Sequence, residues 1–397
     1  MTPSRFACFA ILLTACFVIS TTVSAAAQDS SNLVPQVSRT IPVRTGAHVL
    51  SAQRPMAAAD PLAAPRVGDS SSAPANTWTL LATIPGAVIH DIAFASPTVG
   101  YAAAEGGQVW KTTDGGKTWN LALNLGYPYY FYGVAALNGK NVAVTGFIDS
   151  ATQQEGVLRW THDGGKTWGS DIILSSTTWA QRVRFANSKD GMVLDLPGAA
   201  GQDAQYTTDG GATATDWTTD TANPDGGWFG LQFSLLPNLH ARASGINFCT
   251  SLNAGAAWTC GPAVDSVFDG PVFFVGDTLG WVGGGEISPN VEGWVHVTKN
   301  GGKTWTGRTL DGPWPIREIL FITSKMGWAT GGNVYTNVGG IYFTSDGGKT
   351  WTVDADTGAE MDACDKRALT TGHQVWCAGY NFNGSSFNGV VYSTVTP

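Results

Sequence analysis

A chain of 397 residues with 50 Gly, 16 Trp, only 13% charged residues and one octet recurring at a near-constant spacing predicts an all-β fold. Specifically, it predicts a seven-bladed β-propeller of four-stranded antiparallel blades, closed by its N- and C-terminal strands. Gly and aromatics at this level suit tight turns between short strands, whereas a helical bundle would be rich in Ala, Glu, Lys and Leu. The formal charge of −8 excludes the Lys/Arg surplus that neutralising nucleic-acid phosphates requires, and no nucleic-acid partner is expected.

The first 27 residues read as a signal peptide. Arg5 precedes a largely apolar run, Phe6 to Ile19, which gives way to small residues up to Ala27. No later stretch reaches about 18 uninterrupted apolar residues, so no membrane span is expected in the mature chain. Residues 28–76 carry Pro35, Pro42, Pro55, Pro61, Pro65 and Pro74 among Ala, Ser and Gln, with little apolar periodicity. Such composition cannot offset its ordering entropy, which reads as a flexible linker or a removable propeptide. The propeller is expected over residues 77–397, secreted or periplasmic and monomeric.

The repeat unit is explicit. Thr-x-Asp/Asn-Gly-Gly-Lys-Thr-Trp stands at 112–119, 161–168, 298–305 and 344–351. A fifth copy at 207–213 reaches Trp217 only after three extra residues, and Ser251 to Trp258 is a degenerate sixth. Asp-Gly or Asn-Gly between two apolar runs supplies the positive φ values of a tight hairpin, and the Asp side chain can accept turn N–H groups. Asp114, Asp163, Asp209 and Asp346 are therefore turn-formers: one role repeated in every unit is architecture. A second motif precedes most octets. Gly100-Tyr101, Gly191-Met192, Gly280-Trp281 and Gly327-Trp328 follow Phe94, Phe185, Phe274 and Phe321 by six residues, with looser copies at Asn141-Val142 and Val375-Trp376.

Spacing fixes the blade count. The octet Trp residues 119, 168, 217, 258, 305 and 351 are separated by 49, 49, 41, 47 and 46 residues. Trp78 lies 41 residues before Trp119, where an outer strand would stand without its blade. The chain end, Gly389 to Thr394, stops where an octet would begin. Joining the two completes a seventh blade and removes exposed sheet edges, with six or eight blades as the alternatives.

These octets resemble the Asp-box, or BNR repeat, and the chain is most similar to the propellers grouped with photosystem II assembly and stability factors and with sialidases. The resemblance covers about residues 77–397 and implies the fold. It implies no single function, because that superfamily holds assembly factors, sialidases, xyloglucanases, lyases and sortilin-type receptors. The sialidase Phe/Tyr-Arg-Ile-Pro element has its nearest counterpart in Arg39-Thr-Ile-Pro, which lies in the linker and lacks the aromatic.

A ligand site is expected at one mouth of the central channel, where residues four before each inner-strand Phe vary from blade to blade. His90, Tyr132 and Arg317 would suit proton abstraction beside a uronic-acid carboxylate, with Arg317 partly solvated and free to take it. Gln181, Arg182, Trp228, Asp269 and Asp365 would suit ligand binding. The resulting expectation is a propeller that binds a glycan or protein ligand at the channel mouth. The alternative is a polysaccharide-active enzyme, a uronate lyase before a glycoside hydrolase. No metal-ligand cluster, phosphate loop or dinucleotide fingerprint appears, and no cofactor is expected. Four Cys remain after the signal, and the frame favours Cys249–Cys260 and Cys364–Cys377 among three pairings.

Overall fold

The computed structural model describes residues 76–151, 153–175, 179–196, 204–219, 232–245, 247–265, 269–286, 292–333 and 336–396. The predicted signal peptide and nearly all of the predicted linker lie outside them. Within the described residues, 28 strands form seven four-stranded antiparallel sheets, so the fold is the seven-bladed all-β propeller that the octet spacing predicts. The innermost strands are Ile89–Phe94, Tyr129–Ala136, Trp179–Phe185, Ser234–Leu235, Asp269–Phe274, Ile316–Phe321 and Glu360–Ala368. Inner strands of neighbouring blades touch along most of the channel, and the last of them meets the first.

The seventh blade is built from both ends of the propeller. Its strands Glu360–Ala368, His373–Phe382 and Phe387–Thr396 are completed by Thr79–Pro85, which runs antiparallel to the last strand from Thr79 opposite Ser393 to Pro85 opposite Asn388. Trp78 anchors the start of this closing strand. Its indole donates to Asp354 Oδ2 at 2.7 Å and meets Trp328 edge-on at 6.2 Å.

The Phe-to-Gly spacing now has a physical reason. Phe94 pairs with Gly100 across the hairpin, as do Phe185 with Gly191, Phe274 with Gly280 and Phe321 with Gly327. Each Phe ring lies over its Gly so closely that a Cβ on Gly100 would stand 2.7 Å from the Phe94 ring. The aromatic after the Gly serves the next blade. Trp281 stacks on Phe321 at 3.5 Å and donates to Gly347 O, while Trp376 stacks on Phe94 at 3.7 Å and donates to Gly115 O. Tyr101 reaches Gly139 O in the same way. These contacts seal the seams between blades.

The octets are closed hydrogen-bonded turns. Asp114 Oδ1 accepts from Thr112 Oγ1 and from the Lys117 and Thr118 N–H groups, and Oδ2 accepts from Thr118 Oγ1. Asp163 and Asp346 repeat this set. Asn300 keeps the Thr298 and Thr304 contacts. In the degenerate octet Asn253 accepts from Ser251 Oγ and the Ala257 N–H, so an amide oxygen replaces the carboxylate. The extra residues after Asp209 form a short 3-10 turn, Ala214–Asp216, in which Asp216 accepts the Thr213 N–H.

Both disulfides pair as the frame favours. Cys249 faces Cys260 across the outer two strands of the fourth blade, and Cys364 faces Cys377 across the inner two strands of the seventh.

Candidate functional site

Six inner strands slip register at one shared point. The irregularities fall between Ile89 and Asp91, Phe131 and Gly133, Ala180 and Arg182, Asp269 and Val272, Ile316 and Glu318, and Met361 and Ala363. A bulge leaves a residue out of the ladder and turns its side chain away from the sheet's alternation. The bulged residues are His90, Tyr132, Gln181, the pair Gly270-Pro271, Arg317 and Asp362. The variable ring expected from the sequence is thus a ring of bulges, which explains why the position varies: ladder pairing places no demand on it.

The seventh blade corrects one member of that ring. Lys366 pairs with Val375 and Asp365 with Trp376, so Lys366 holds the place of Phe94 and Asp362, not Asp365, the place of His90. The hairpin there is three residues longer than in its neighbours, and counting back from Val375 by the usual spacing stops short by that amount. Asp365 instead accepts the Phe94 N–H at 2.6 Å, toward the other end of the channel. Asp269 opens the fifth inner strand opposite Gly284, and Trp228 lies outside the described residues.

At the mouth where the inner strands begin, His90, Tyr132 and Asp362 meet. His90 Nδ1 is 2.9 Å from Asp362 Oδ2, its Nε2 is 3.4 Å from Glu105 Oε1, and its ring stacks on Tyr132 at 4.0 Å. Burial disfavours the imidazolium, but hydrogen bonds to Asp362 and Glu105 and their negative charge prevail and raise His90 to about 9. Burial, reinforced by the charges of Glu105 and Asp362, pushes the Tyr132 phenol well above its ordinary range. At neutral pH His90 is therefore a proton donor and Tyr132 a neutral phenol. Arg317, expected to be partly solvated, is only 2% exposed and pairs with Glu360 at 2.8 Å. A lyase reading would need His90 deprotonated and Arg317 released from Glu360.

Beneath this floor the channel is filled by charge. Arg182 extends across it and donates to the carbonyls of His90, Tyr132 and Asp362, bulged residues of three different blades. It also pairs with Asp91 at 2.9 Å, as does Arg184. Burial alone would raise Asp91, yet the two guanidinium groups hold its carboxyl below the usual range. Arg182 is thus committed to the scaffold. Gln181 contributes its carbonyl, which accepts from Thr145 Oγ1 in the neighbouring blade.

Above the floor, aromatic rings run across the mouth without a break. Tyr127 meets Tyr130, Tyr130 stacks on Phe147, and Phe147 stacks on both Tyr132 and Trp179. From Tyr132 the ribbon passes through His90 to Tyr380, Phe387 and Phe382, with centroid separations of 4.0 to 6.4 Å throughout. Its centre is buried, and its ends are open: Tyr127 is 73% and Phe382 36% exposed. Glu105 and Asp149 raise the Tyr130 phenol by their charge, after burial itself, which sets two carboxylates beside the open end. The ring rule missed this ribbon, because it samples one residue per blade. The run Tyr127-Pro-Tyr-Tyr-Phe-Tyr132, five aromatics in six residues, was the available signal.

No family model matches the chain, and no curated protein matches its sequence. Solved structures match its shape. "YCF48 bound to D1 peptide" superposes with a TM-score of 0.58 at 18% identity, covering 83% of this chain and 99% of its own. YCF48 from Cyanidioschyzon merolae gives 0.55 at 18% identity over 80% and 98%. The WD40 β-propeller domain of Doa1 gives 0.56 at 8% identity over 80% and 97%. The chain is similar to these propellers in fold.

Proposed function

We propose that this protein is a binding propeller that holds an extended protein segment across the mouth where its inner strands begin. The aromatic ribbon carries the reading. Amphipathic rings with exposed ends and a rigid, buried centre offer large contact area with little side-chain entropy to lose. Glu105 and Asp149 beside Tyr127 and Tyr130 favour a segment bearing Lys or Arg, which an aromatic face and a carboxylate can hold together. The YCF48 propeller solved with a peptide supports the use of this fold for peptide capture. The octets are read as Asp-box turns that build the scaffold and leave binding to the channel mouth.

Export belongs to the same proposal. The N-terminal address would deliver the chain to an oxidising compartment, where two disulfides persist. Among the described residues no helix is long and apolar enough to cross a membrane.

A glycan is the second reading, since exposed aromatic rings also stack on sugar faces. Selection of the full chain against a randomised 12-residue peptide library, with a glycan array in parallel, separates the two. Peptides enriched in Lys or Arg should emerge, and the double variant Tyr127→Ala/Tyr130→Ala should weaken them by at least about tenfold. Glycan binding without peptide binding, or peptide affinity indifferent to the variant, would refute the reading.

A further inference from the structure

The opposite mouth of the channel, where the inner strands end, holds a cavity of about 720 Å³ that the peptide reading does not use. Arg184, Lys366 and Arg367 line it, and among the described residues of its wall the acidic ones are Asp365 and Glu318; Arg184 is also paired with Asp91 at 2.9 Å and Arg367 with Asp365 at 3.2 Å. Two of these cations keep open faces: the side chains of Arg184 and Arg367 are 27% and 32% exposed. Glu318 is 1% exposed; its Oε1 accepts from Gln232 Nε2, and its Oε2 has no hydrogen-bond partner among the described residues. Leu235, Leu236, Pro237 and Phe273 supply an apolar wall beside the charges.

We propose that this cavity binds a small organic carboxylate with an apolar body. Its volume matches the usual range for small-molecule sites, and its charge is positive in a chain whose net charge is −8. Arg184 and Arg367 present planar donors suited to a carboxylate, and the apolar wall excludes water from the remainder of the ligand. Glu318 lies in the same wall. Burial pushes its carboxyl well above the ordinary range against the pull of Arg182 and Arg184, which favours its neutral form. In that form Glu318 sets no negative charge against a bound anion.

Fluorine NMR of the full-length protein with 4-fluorobenzoate tests this directly, with 4-fluorobenzamide, 4-fluorobenzylammonium and inorganic sulfate as comparisons. The carboxylate should bind at least about tenfold more tightly than the amide, the ammonium should not bind, and sulfate should not displace the carboxylate. Arg367→Gln should weaken 4-fluorobenzoate by about fivefold or more with the thermal midpoint unchanged, and Ala136→Trp should abolish binding by filling the space. Glu318→Gln, which leaves the side chain uncharged, should hold affinity within about threefold. The proposal is overturned if the amide binds as well as the carboxylate, if the ammonium binds instead, if sulfate competes on equal terms, or if no probe binds the unmodified protein. The unmodified protein alone decides all four of these outcomes, and none depends on peptide capture at the other mouth.

Discussion

The seam between the seventh and first blades should depend on Trp376 more than on any octet Trp. Trp376 is fully buried, stacks on Phe94 at 3.7 Å and donates its indole N–H to Gly115 O at 2.8 Å. Truncating a buried aromatic to Ala removes about 3–5 kcal/mol through lost transfer energy and an unfilled cavity. Trp376→Phe keeps a stacked ring and loses chiefly the hydrogen bond, for about 1–2 kcal/mol. Trp351, the octet Trp of the sixth blade, is only half-buried and meets Phe321 edge-on at 6.0 Å. Trp351→Ala should therefore cost less than Trp376→Ala. Urea unfolding followed by far-UV circular dichroism gives the order, provided the slopes of the transitions stay equal. A Trp376→Ala loss below about 1 kcal/mol, or one equal to that of Trp376→Phe, would show that the stacked rivet does not hold the seam.

Three further outcomes follow from the same geometry. His90, raised from 6.5 to about 9, stabilises the fold fully below pH 6.5 and loses that contribution, up to roughly 3 kcal/mol, as pH rises through 9; thermal midpoints from pH 6 to 9.5 should fall, and His90→Gln should flatten the slope. Asp114, held down to about 2 mainly by its Thr118 hydrogen bonds, contributes above its unfolded value of 3.8 and fails as pH falls toward 2. Because Asn300 already builds such a turn, Asp114→Asn should melt within about 1 kcal/mol of the unmodified protein at pH 7 and lose less than it on acidification. Limited proteolysis should trim the chain to near residue 76 and stop, whereas a chain shortened past Pro85 should melt earlier and be cut within the blades; a truncated chain as resistant as the intact one would remove the closing strand from the account.

The architecture was legible because each blade solves the same problem with the same residues. Phe94 over Gly100, Thr112 with Asp114, and Trp376 on the following blade all leave fixed spacings, and those spacings gave blade number and closure. The ring of bulges was legible for the opposite reason, since a position freed from ladder pairing stands out by its variety. Two features could not be read this way. The partners of Arg317 and His90 come from Glu360 and Asp362, some 43 and 272 residues away along the chain, and no local pattern announces them. Asp365 was misplaced because the seventh blade replaces the marker Phe with Lys366 and lengthens its hairpin, so both landmarks failed together. Solvation failed as a guess for Arg317 because the bulge turns its side chain toward the neighbouring blade, where a carboxylate waits.

The closing strand also sets an order of events during synthesis. Thr79–Pro85 is among the first propeller segments to leave the ribosome, and its partner Phe387–Thr396 is the last. For the whole intervening stretch the early strand has no ladder to join, and the six completed blades can form an arc but not a circle. Contacts that join such distant segments are slow to form, and an unpaired strand is open to neighbouring chains in the meantime. Leu80, 47% exposed even in the finished blade, makes that interval more hazardous. A chain that emerges incomplete, or that is released before Thr396, would keep two complementary edges and could satisfy them with a second copy of itself.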